Sequence, residues 1–280
     1  MLTGFACKIR VALGVAFGVC AAAVLFPFAA FADGDRRTAK ALQDNSFLIE
    51  EAYNQEPGIV QHILGLRRQG RDWDLMFTQE WPVFSQQHQF SYSIPWARLR
   101  SDGQRASGIG DVMFNYRYQL FEETMNGPAV APRFSLIVPS GDETRGLGDG
   151  SRGFQFNLPV SKIVSDRVTL HGNAGFTHLF NVEGLKTDSY HFGGSAIYAA
   201  SRELNFMFEV VHEWSEAVDT GAIVRERALT VSPGLRYAFN LDAGQLVVGA
   251  GAPIVFTEGQ RTSYGAILYL SFEHAFLRKK

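Results

Sequence analysis

Apolar and polar residues alternate along the middle of this chain. From 110 to 120, one set of alternate positions holds glycine, valine, phenylalanine, tyrosine or leucine, and the other set is Asp111, Met113, Asn115, Arg117 and Gln119. A period of two predicts a β-strand with one apolar face and one wet face. The alternation restarts after polar turn residues at 130–138, and again after a glycine-rich loop at 154–160. Phe, Tyr and Leu on one face with Arg, Asn and Gln on the other are typical of a barrel in lipid.

About twelve strand candidates follow one another, and an even number is usual for single-chain bacterial barrels. They lie near 59–67, 73–81, 90–96, 110–120, 130–138, 154–160, 168–180, 190–198, 204–214, 229–239, 246–256 and 268–276. The connections predict periplasmic turns at 83–86, 122–127, 165–167, 201–203 and 240–244, and outer loops at 68–71, 101–107, 140–152, 181–187, 216–224 and 257–262. The predicted fold class is all-β: a single antiparallel transmembrane β-barrel of about 12 strands after a cleaved signal peptide.

The N-terminus has the features of a secretory signal peptide. Lys8 and Arg10 form a positive region, Val11 to Phe28 is almost wholly apolar, and Ala30-Phe31-Ala32 matches the A-x-A cleavage pattern. Residues 1–32 are therefore predicted to be removed, and an uncleaved membrane helix is the alternative. The predicted mature chain divides into an N-terminal extension or plug at 33–58 and an outer-membrane barrel at 59–277. Export combined with strand alternation predicts the Gram-negative outer membrane as the location.

One stretch of the extension, Ser46 to Tyr53, fits none of the twelve strands. It is interpreted as an extra strand, a short helix, or a segment folded into the barrel interior, where it would occlude the periplasmic end.

Composition narrows the function classes. Both cysteines, Cys7 and Cys20, lie in the predicted signal peptide, which excludes disulfides and cysteine-ligated metals from the mature chain. The 26 Lys and Arg residues include Lys8 and Arg10, which leaves 24 against 28 Asp and Glu. This acidic balance without a basic stripe excludes a nucleic-acid partner. After residue 32 no apolar run approaches the ~20 residues of a spanning helix, so in a membrane this chain has to close into a barrel.

The charged residues on the inward register are the candidate solute pathway. They are Asp74, Glu80, Asp111, Arg117, Arg133, Glu209, Glu213, Arg236 and Glu273. Charges inside a barrel have to pair or meet water, and their mixed signs argue against a strongly ion-selective pore. Twelve strands lie between the eight that side chains fill and the sixteen that form an open channel. The sequence therefore predicts a narrow or partly plugged passage.

Tryptophans on the outward register are the candidate interfacial anchors. These are Trp73, Trp81, Trp96 and Trp214. Trp73 and Trp81 lie eight residues apart, which is roughly 20 Å along the membrane normal for a tilted strand. The pair is thus expected at or near the two headgroup belts.

Four motifs bear on chemistry, and none predicts a catalytic residue, a metal site or a cofactor. Gly148–Gly153 matches G-x-G-x-x-G, but alternating residues follow where a dinucleotide site needs a helix. His191 and Ser195, with Glu209 and Glu213 on the next strand, resemble a hydrolase set. However, His191 and Ser195 are about 13 Å apart along their strand, too far for direct contact. A divalent ion bridging lipopolysaccharide at Asp142, Glu143 and Asp149 is less favoured than a solvated loop. His171, His191 and His212 lack metal-ligand spacing.

Several short motifs, in order, resemble the outer-membrane barrel family labelled MetA-pathway of phenol degradation. They are Gly108-Ile109-Gly110-Asp111 before Tyr116-Arg117-Tyr118, Leu136-Ile137-Val138-Pro139-Ser140-Gly141, Gly148-Asp149-Gly150-Ser151 before Phe154, and Asn173-Ala174-Gly175-Phe176. The resemblance covers roughly Gly108 to Phe276. It implies a transmembrane barrel that passes small, often aromatic or apolar, compounds, and it carries over no catalytic residue. Barrel proteins commonly end on an aromatic residue that the assembly machinery recognises, whereas here Leu277-Arg278-Lys279-Lys280 follows Phe276.

The expected function is an outer-membrane channel for passive passage of small solutes. The expected partners are outer-membrane lipid and lipopolysaccharide, the barrel assembly machinery and a small-molecule solute. Three alternatives stay open: a structural or adhesive barrel with a filled lumen, an outer-membrane lipid hydrolase using His191 or His171, and a soluble periplasmic β-sandwich.

Overall fold

Twelve antiparallel strands close into one barrel in the computed structural model, which describes residue 42, residues 44–101 and residues 104–276. The predicted signal peptide at 1–32 lies outside the described residues. Within them, no helix is long and apolar enough to cross a membrane. The last strand pairs with the first, from Ile59 opposite Ala275 to Gln69 opposite Gly265. The prediction of about twelve antiparallel strands is confirmed.

Eight strands are continuous and four consist of two segments. They are β1 (Ile59–Gln69), β2 (Asp72–Val83), β3 (Ser85–Ser101), β4 (Gln104–Ile109 and Val112–Tyr118), β5 (Ala129–Val130 and Arg133–Val138), β6 (Gly153–Asn157 and Val160–Ser165), β7 (Val168–Val182), β8 (Leu185–Ala199), β9 (Leu204–Asp219), β10 (Ala222–Leu241), β11 (Gly244–Gly251 and Ile254–Thr257) and β12 (Ser263–Ala275). A single turn of 3-10 helix, Glu143–Arg145, lies between β5 and β6.

Proline accounts for three of the four interruptions. Pro132, Pro159 and Pro253 stand in the gaps of β5, β6 and β11, where a residue without an N–H cannot continue the ladder. The gap in β4 falls at Gly110, where an added Cβ would lie 3.0 Å from both Leu147 O and Pro95 Cγ. Gly110 therefore faces the interior, and its predicted outward placement is wrong because the broken strand shifts its register there.

Several outer loops are shorter than predicted. β7 continues into β8 through Glu183-Gly184, and β9 into β10 through Thr220-Gly221; all four residues have positive φ. Such two-residue turns match the twist of a hairpin. The predicted loops at 181–187 and 216–224 are therefore mostly strand, because polar residues in these extensions resemble loop in the sequence. The stretch predicted as a loop at 101–107 likewise belongs largely to β3 and β4.

The two faces of the wall differ as the alternation predicts. On the outside, Phe206, Phe208 and Leu268 are 48%, 51% and 57% exposed, whereas the neighbouring Asn205 and Glu209 are buried at 0%. A polar interior inside an apolar exterior is the arrangement of a transmembrane barrel and the reverse of a soluble one. The chain therefore spans a membrane, and the soluble β-sandwich alternative is wrong. The two ends of the strand series, Ile59 and Ala275, lie at the same end of the barrel, here called periplasmic.

Candidate functional site

Residues 44–55, here called the lumen segment, run inside the barrel near the periplasmic ends of the strands. Their backbone N–H groups donate to side chains of the wall. The bonds join Leu48 N to Glu209 (2.8 Å), Glu50 N to Asn173 (2.8 Å), Ala52 N to Ser161 (2.7 Å), Asn54 N to Gln119 (3.1 Å) and Gln55 N to Gln89 (2.8 Å). Alternate N–H groups from 48 to 54 therefore bond the wall. Side chains from four strands and the start of the β4–β5 turn replace the partner strand that an extended segment otherwise needs.

Two arginines bind the carbonyl groups of the lumen segment. Arg236 on β10 donates to Asp44 O and Asn45 O, each at 2.6 Å. Arg117 on β4 donates to Glu51 O at 3.2 Å and to Tyr53 O at 2.7 Å. Since guanidinium donors form charge-assisted bonds that are stronger than neutral ones, these two residues hold the segment near both of its ends.

An ion pair and a polar cluster fix the acidic side chains of the segment. Arg133 binds both carboxylate oxygens of Glu50, at 2.7 and 3.0 Å. At the start of the segment, the Asp44 carboxylate accepts from Tyr269 Oη at 2.7 Å and from Gln61 Nε2 at 2.9 Å. The bidentate geometry of the first pair adds orientation as well as energy.

Two apolar side chains of the segment fit against glycines of the wall. The Phe47 ring lies so close to Gly249 that an added Cβ would stand 2.6 Å from it, and its centroid is 5.3 Å from that of Tyr269. Ile49 is fully buried, with its Cδ1 only 3.1 Å from where a Cβ of Gly193 would stand. A side chain at Gly249 would displace the Phe47 ring, whereas one at Gly193 would first meet the backbone oxygen of Val210 on β9 and then Ile49.

A cavity of about 310 Å³ remains between the lumen segment and the wall formed by β1–β4. Along β2 it touches Asp74, Met76, Thr78 and Glu80, a span of roughly 20 Å at the usual rise per residue. Its lining mixes carboxylates and guanidinium groups with apolar side chains such as Met76 and Met113. Such a lining suits a small amphipathic molecule.

The predicted lumen residues fall into three groups. Arg117, Arg133, Glu209 and Arg236 contact the lumen segment, as does Glu273 through Gln55 at 3.1 Å. Asp74, Glu80 and Glu213 line the cavity, and Asp74 also pairs with Arg67 at 3.2 Å. Asp111 instead accepts from the backbone N–H groups of Gly141 and Asp149, both at 2.9 Å.

Asp111 therefore anchors the outer loop at 139–152, which turns toward the interior. Leu147 in this loop is 6% exposed and reaches Gly108 on the inner face of β4. Asp142 begins the 3-10 turn, and hydrogen bonds from Thr144 and from the backbone hold the pKa of its carboxyl below the ordinary value.

Sequence reasoning missed the uncharged members of the site. Asn173, Ser161, Gln119 and Gln89 each accept a backbone N–H of the lumen segment. Their inward register is visible in the alternation, but an uncharged polar residue inside a barrel is the ordinary case and gives no separate signal.

The four predicted tryptophan anchors are partly exposed. Trp73 lies under the guanidinium of Arg68, whose Cζ is 5.5 Å from the ring centroid. Trp81 packs edge-on against Phe90, and the ring centroids of Trp214 and His212 are 4.0 Å apart.

Ser195 of the predicted hydrolase set and a second serine, Ser161 beside His171, are both engaged inside the barrel. Ser195 Oγ lies 2.7 Å from Ser46 Oγ of the lumen segment. Ser161 Oγ bonds His171 Nδ1 at 2.7 Å while accepting from Ala52 N, and the void beside His171 measures about 10 Å³. This void is too small for an acyl chain. Among the described residues, no group of three or more His, Cys, Asp and Glu has the geometry to hold a metal ion.

Fold and site together define a membrane-spanning barrel whose polar lumen holds part of its own N-terminal region. Residues 52–272 match the sequence model of the family described as "Putative MetA-pathway of phenol degradation", and the chain belongs to that family. No curated protein matches the sequence.

Solved structures of similar shape are outer-membrane proteins. The COG4313 outer membrane channel from Pseudomonas putida F1 matches with a TM-score of 0.62 and 12% identity, over 84% of this chain and 100% of that one. The KdgM porin gives 0.48 at 12% identity, over 78% of this chain and 99% of its own. The CymD monoaromatic hydrocarbon channel gives 0.36 at 9%, over 79% and 89%. At these identities the first likeness concerns the fold alone.

Proposed function

We propose that this protein is an outer-membrane channel through which small amphipathic solutes diffuse without energy or cofactor. The observation that carries the proposal is the lumen cavity of about 310 Å³ that extends along β2. This volume falls in the range of small-molecule sites, and its mixed lining suits compounds that combine a ring or short apolar body with a hydroxyl or carboxyl group.

In this proposal the lumen segment controls the width of the passage. The described contacts between segment and wall are hydrogen bonds, one ion pair and side-chain packing. Interactions of this kind form and break without chemistry, so the segment acts as a reversible plug. The family description concerns phenol degradation, which supports phenol-sized solutes as the first to test.

The test is to remove or lock the plug in planar bilayers. Deleting 46–53 should raise the single-channel conductance, because the segment fills the periplasmic half of the lumen. Oxidation of Ser46→Cys/Ser195→Cys should lower the single-channel conductance, because a disulfide would hold the segment in the lumen. The two serine oxygens lie 2.7 Å apart, a separation that suits a disulfide. The predicted mature chain has no other thiol, so reductant should restore the conductance of the unmodified protein.

The single variant Ser46→Cys provides the redox control and should not respond to reductant. Unchanged conductance after both the deletion and the disulfide lock, in barrels that remain folded, would refute the plug. Flux of phenol and benzoate into liposomes then separates the channel from a structural barrel with a filled lumen, for which no flux is expected.

The proposal assigns no catalytic step to the chain. The hydroxyls of Ser195 and Ser161 both bond the lumen segment. A fluorescent ester offered to the protein lacking 46–53, where Ser161 and Ser195 lose these contacts, should stay intact. Hydrolysis that disappears in His171→Ala or His191→Ala would establish the hydrolase instead.

A further inference from the structure

Five arginines lie together where β1–β4 reach the end of the barrel opposite to the termini, four of them on the outer face of the strands and one in the turn between β1 and β2. This arginine patch consists of Arg68, Arg71, Arg98, Arg100 and Arg105. The predicted solute pathway uses none of them, and the four on strands are on the opposite face of the wall from the lumen.

Strand register brings the arginine patch together. Arg68 is opposite Trp73, and Trp73 is opposite Arg98, so the three residues form a row across β1, β2 and β3. Arg100 is directly opposite Arg105 on β4. Neighbouring strands are about 4.8 Å apart and paired residues have Cβ atoms about 5 Å apart, so the guanidinium groups share one surface.

The protein leaves this positive charge uncompensated over the residues that the structure describes. The ion pairs among them involve Arg67, Arg133, Lys162, His178, Arg225 and Arg227. The nearby Asp72 carboxylate accepts from the backbone N–H of Arg100 at 2.7 Å. Arg100 lies in the positive field of the other four arginines, and its Nε is shielded from solvent with no hydrogen-bond partner in the described chain. Like charges directly opposite on two strands are unfavourable.

On the other side of the barrel, outward-facing arginines pair with carboxylates of the same chain. Arg225 pairs with Glu216 at 2.9 Å, and Arg227 lies 3.8 Å from Glu258. These charges also face outward at the same end of the barrel. Because compensation is available in this fold, its absence at the arginine patch indicates an anionic ligand from outside the chain.

The position of the arginine patch along the membrane normal indicates which anion binds there. Trp73 and Trp96 face outward, and indole rings favour the headgroup level of a membrane. Arg98 and Arg100 lie two and four residues beyond Trp96, about 7 and 13 Å further along the strand. This places them at and above the level of the lipid headgroups on the outer side.

We propose that the arginine patch binds the phosphate groups of lipopolysaccharide in the outer leaflet. Guanidinium groups bind phosphate oxygens through paired N–H donors, and a cluster of five matches a lipid that carries more than one phosphate. The lipid neutralises the patch and fixes the side of the barrel that it contacts.

The test compares two matched double variants of the full mature chain in detergent micelles. Arg98→Gln/Arg100→Gln removes two arginines of the patch from β3, and Arg225→Gln/Arg227→Gln removes two paired arginines at the same spacing from β10. Affinity is measured for fluorescent bisphosphorylated lipid A and for the same lipid A without phosphates. The first variant should bind the phosphorylated lipid about 100-fold more weakly, from two lost bonds to a charged group at about tenfold each. The second should match the unsubstituted protein.

The dephosphorylated lipid should bind weakly to all three proteins. Equal binding of the two lipids, or equal losses in the two variants, would overturn the proposal. Folding is checked by heat-dependent mobility on a gel, and Arg105→Gln serves as a milder variant if the double one does not fold. An excess of inorganic phosphate that displaces the lipid from the unsubstituted protein would show a free-anion site and would also overturn it.

Discussion

Replacing Arg236 by methionine should release the start of the lumen segment while keeping the volume of the wall. The Arg236 side chain is 1% exposed and lies between β10 and the first residues of the segment. It donates to Asp44 O and Asn45 O at 2.6 Å, and a third contact reaches Leu42 O at 3.4 Å. Methionine fills similar space but donates no hydrogen bond.

The two short bonds set the magnitude of the effect. A hydrogen bond to a charged group contributes about 1.5–3 kcal/mol net, so two of them near the lower limit give about 3–4 kcal/mol. Each 1.4 kcal/mol is about a tenfold change in an equilibrium constant. The undocked population of the lumen segment should therefore rise roughly 100- to 1,000-fold.

Two measurements report this change. In planar bilayers, Arg236→Met should open more often than the unsubstituted channel. Amide hydrogen exchange at Leu48, Glu50 and Ala52 should quicken by a similar factor, because their N–H groups lose the wall acceptors when the segment leaves. Arg227→Met, on the outer face, is the matched control. If exchange in the segment stays as slow as in the control while the barrel remains folded, the assignment of Arg236 as its anchor is wrong.

The remaining predictions concern two glycines of the inner wall. Gly249→Val should expel the Phe47 ring, which an added Cβ would approach to 2.6 Å, and raise the conductance measured in planar bilayers; equal conductance would show that the ring is not a wedge. Gly65→Leu projects into the cavity, where an added Cβ meets nothing within 4 Å, so it should slow phenol flux into liposomes without loosening the segment, and unchanged flux would place the solute path elsewhere.

The barrel could be predicted from the sequence because its cause is local. A strand between lipid and a polar lumen has to alternate at every position, and this period is visible within any ten residues of the chain. The alternation did not predict the features of the fold that depend on one or two residues. The break at Gly110 shifts the register of one strand, and Glu183-Gly184 and Thr220-Gly221 close hairpins that polar composition made resemble loops.

The lumen segment could not be located because its determinants are spread along the chain. Leu48 bonds a residue 161 positions away, and Ala52 bonds one 109 positions away. The segment itself has neither a period of two in hydrophobicity nor helix caps. Its fit depends on side chains of several strands that come together only when the barrel closes, so sequence reasoning left three interpretations of Ser46 to Tyr53 open.

The charges of the lumen acquire a different meaning once the segment is in place. In the sequence alone, the mixed signs on the inward register argue against ion selectivity. In the structure, Arg117 and Arg236 meet carbonyl groups, whereas Glu209, like Asn173 and Ser161, meets an N–H group. A carbonyl needs a donor and an N–H needs an acceptor, so at these positions the sign of the wall side chain follows the direction of the peptide group it faces. The signs of the inward charges therefore depend on the path of the lumen segment more directly than on the charge of a solute.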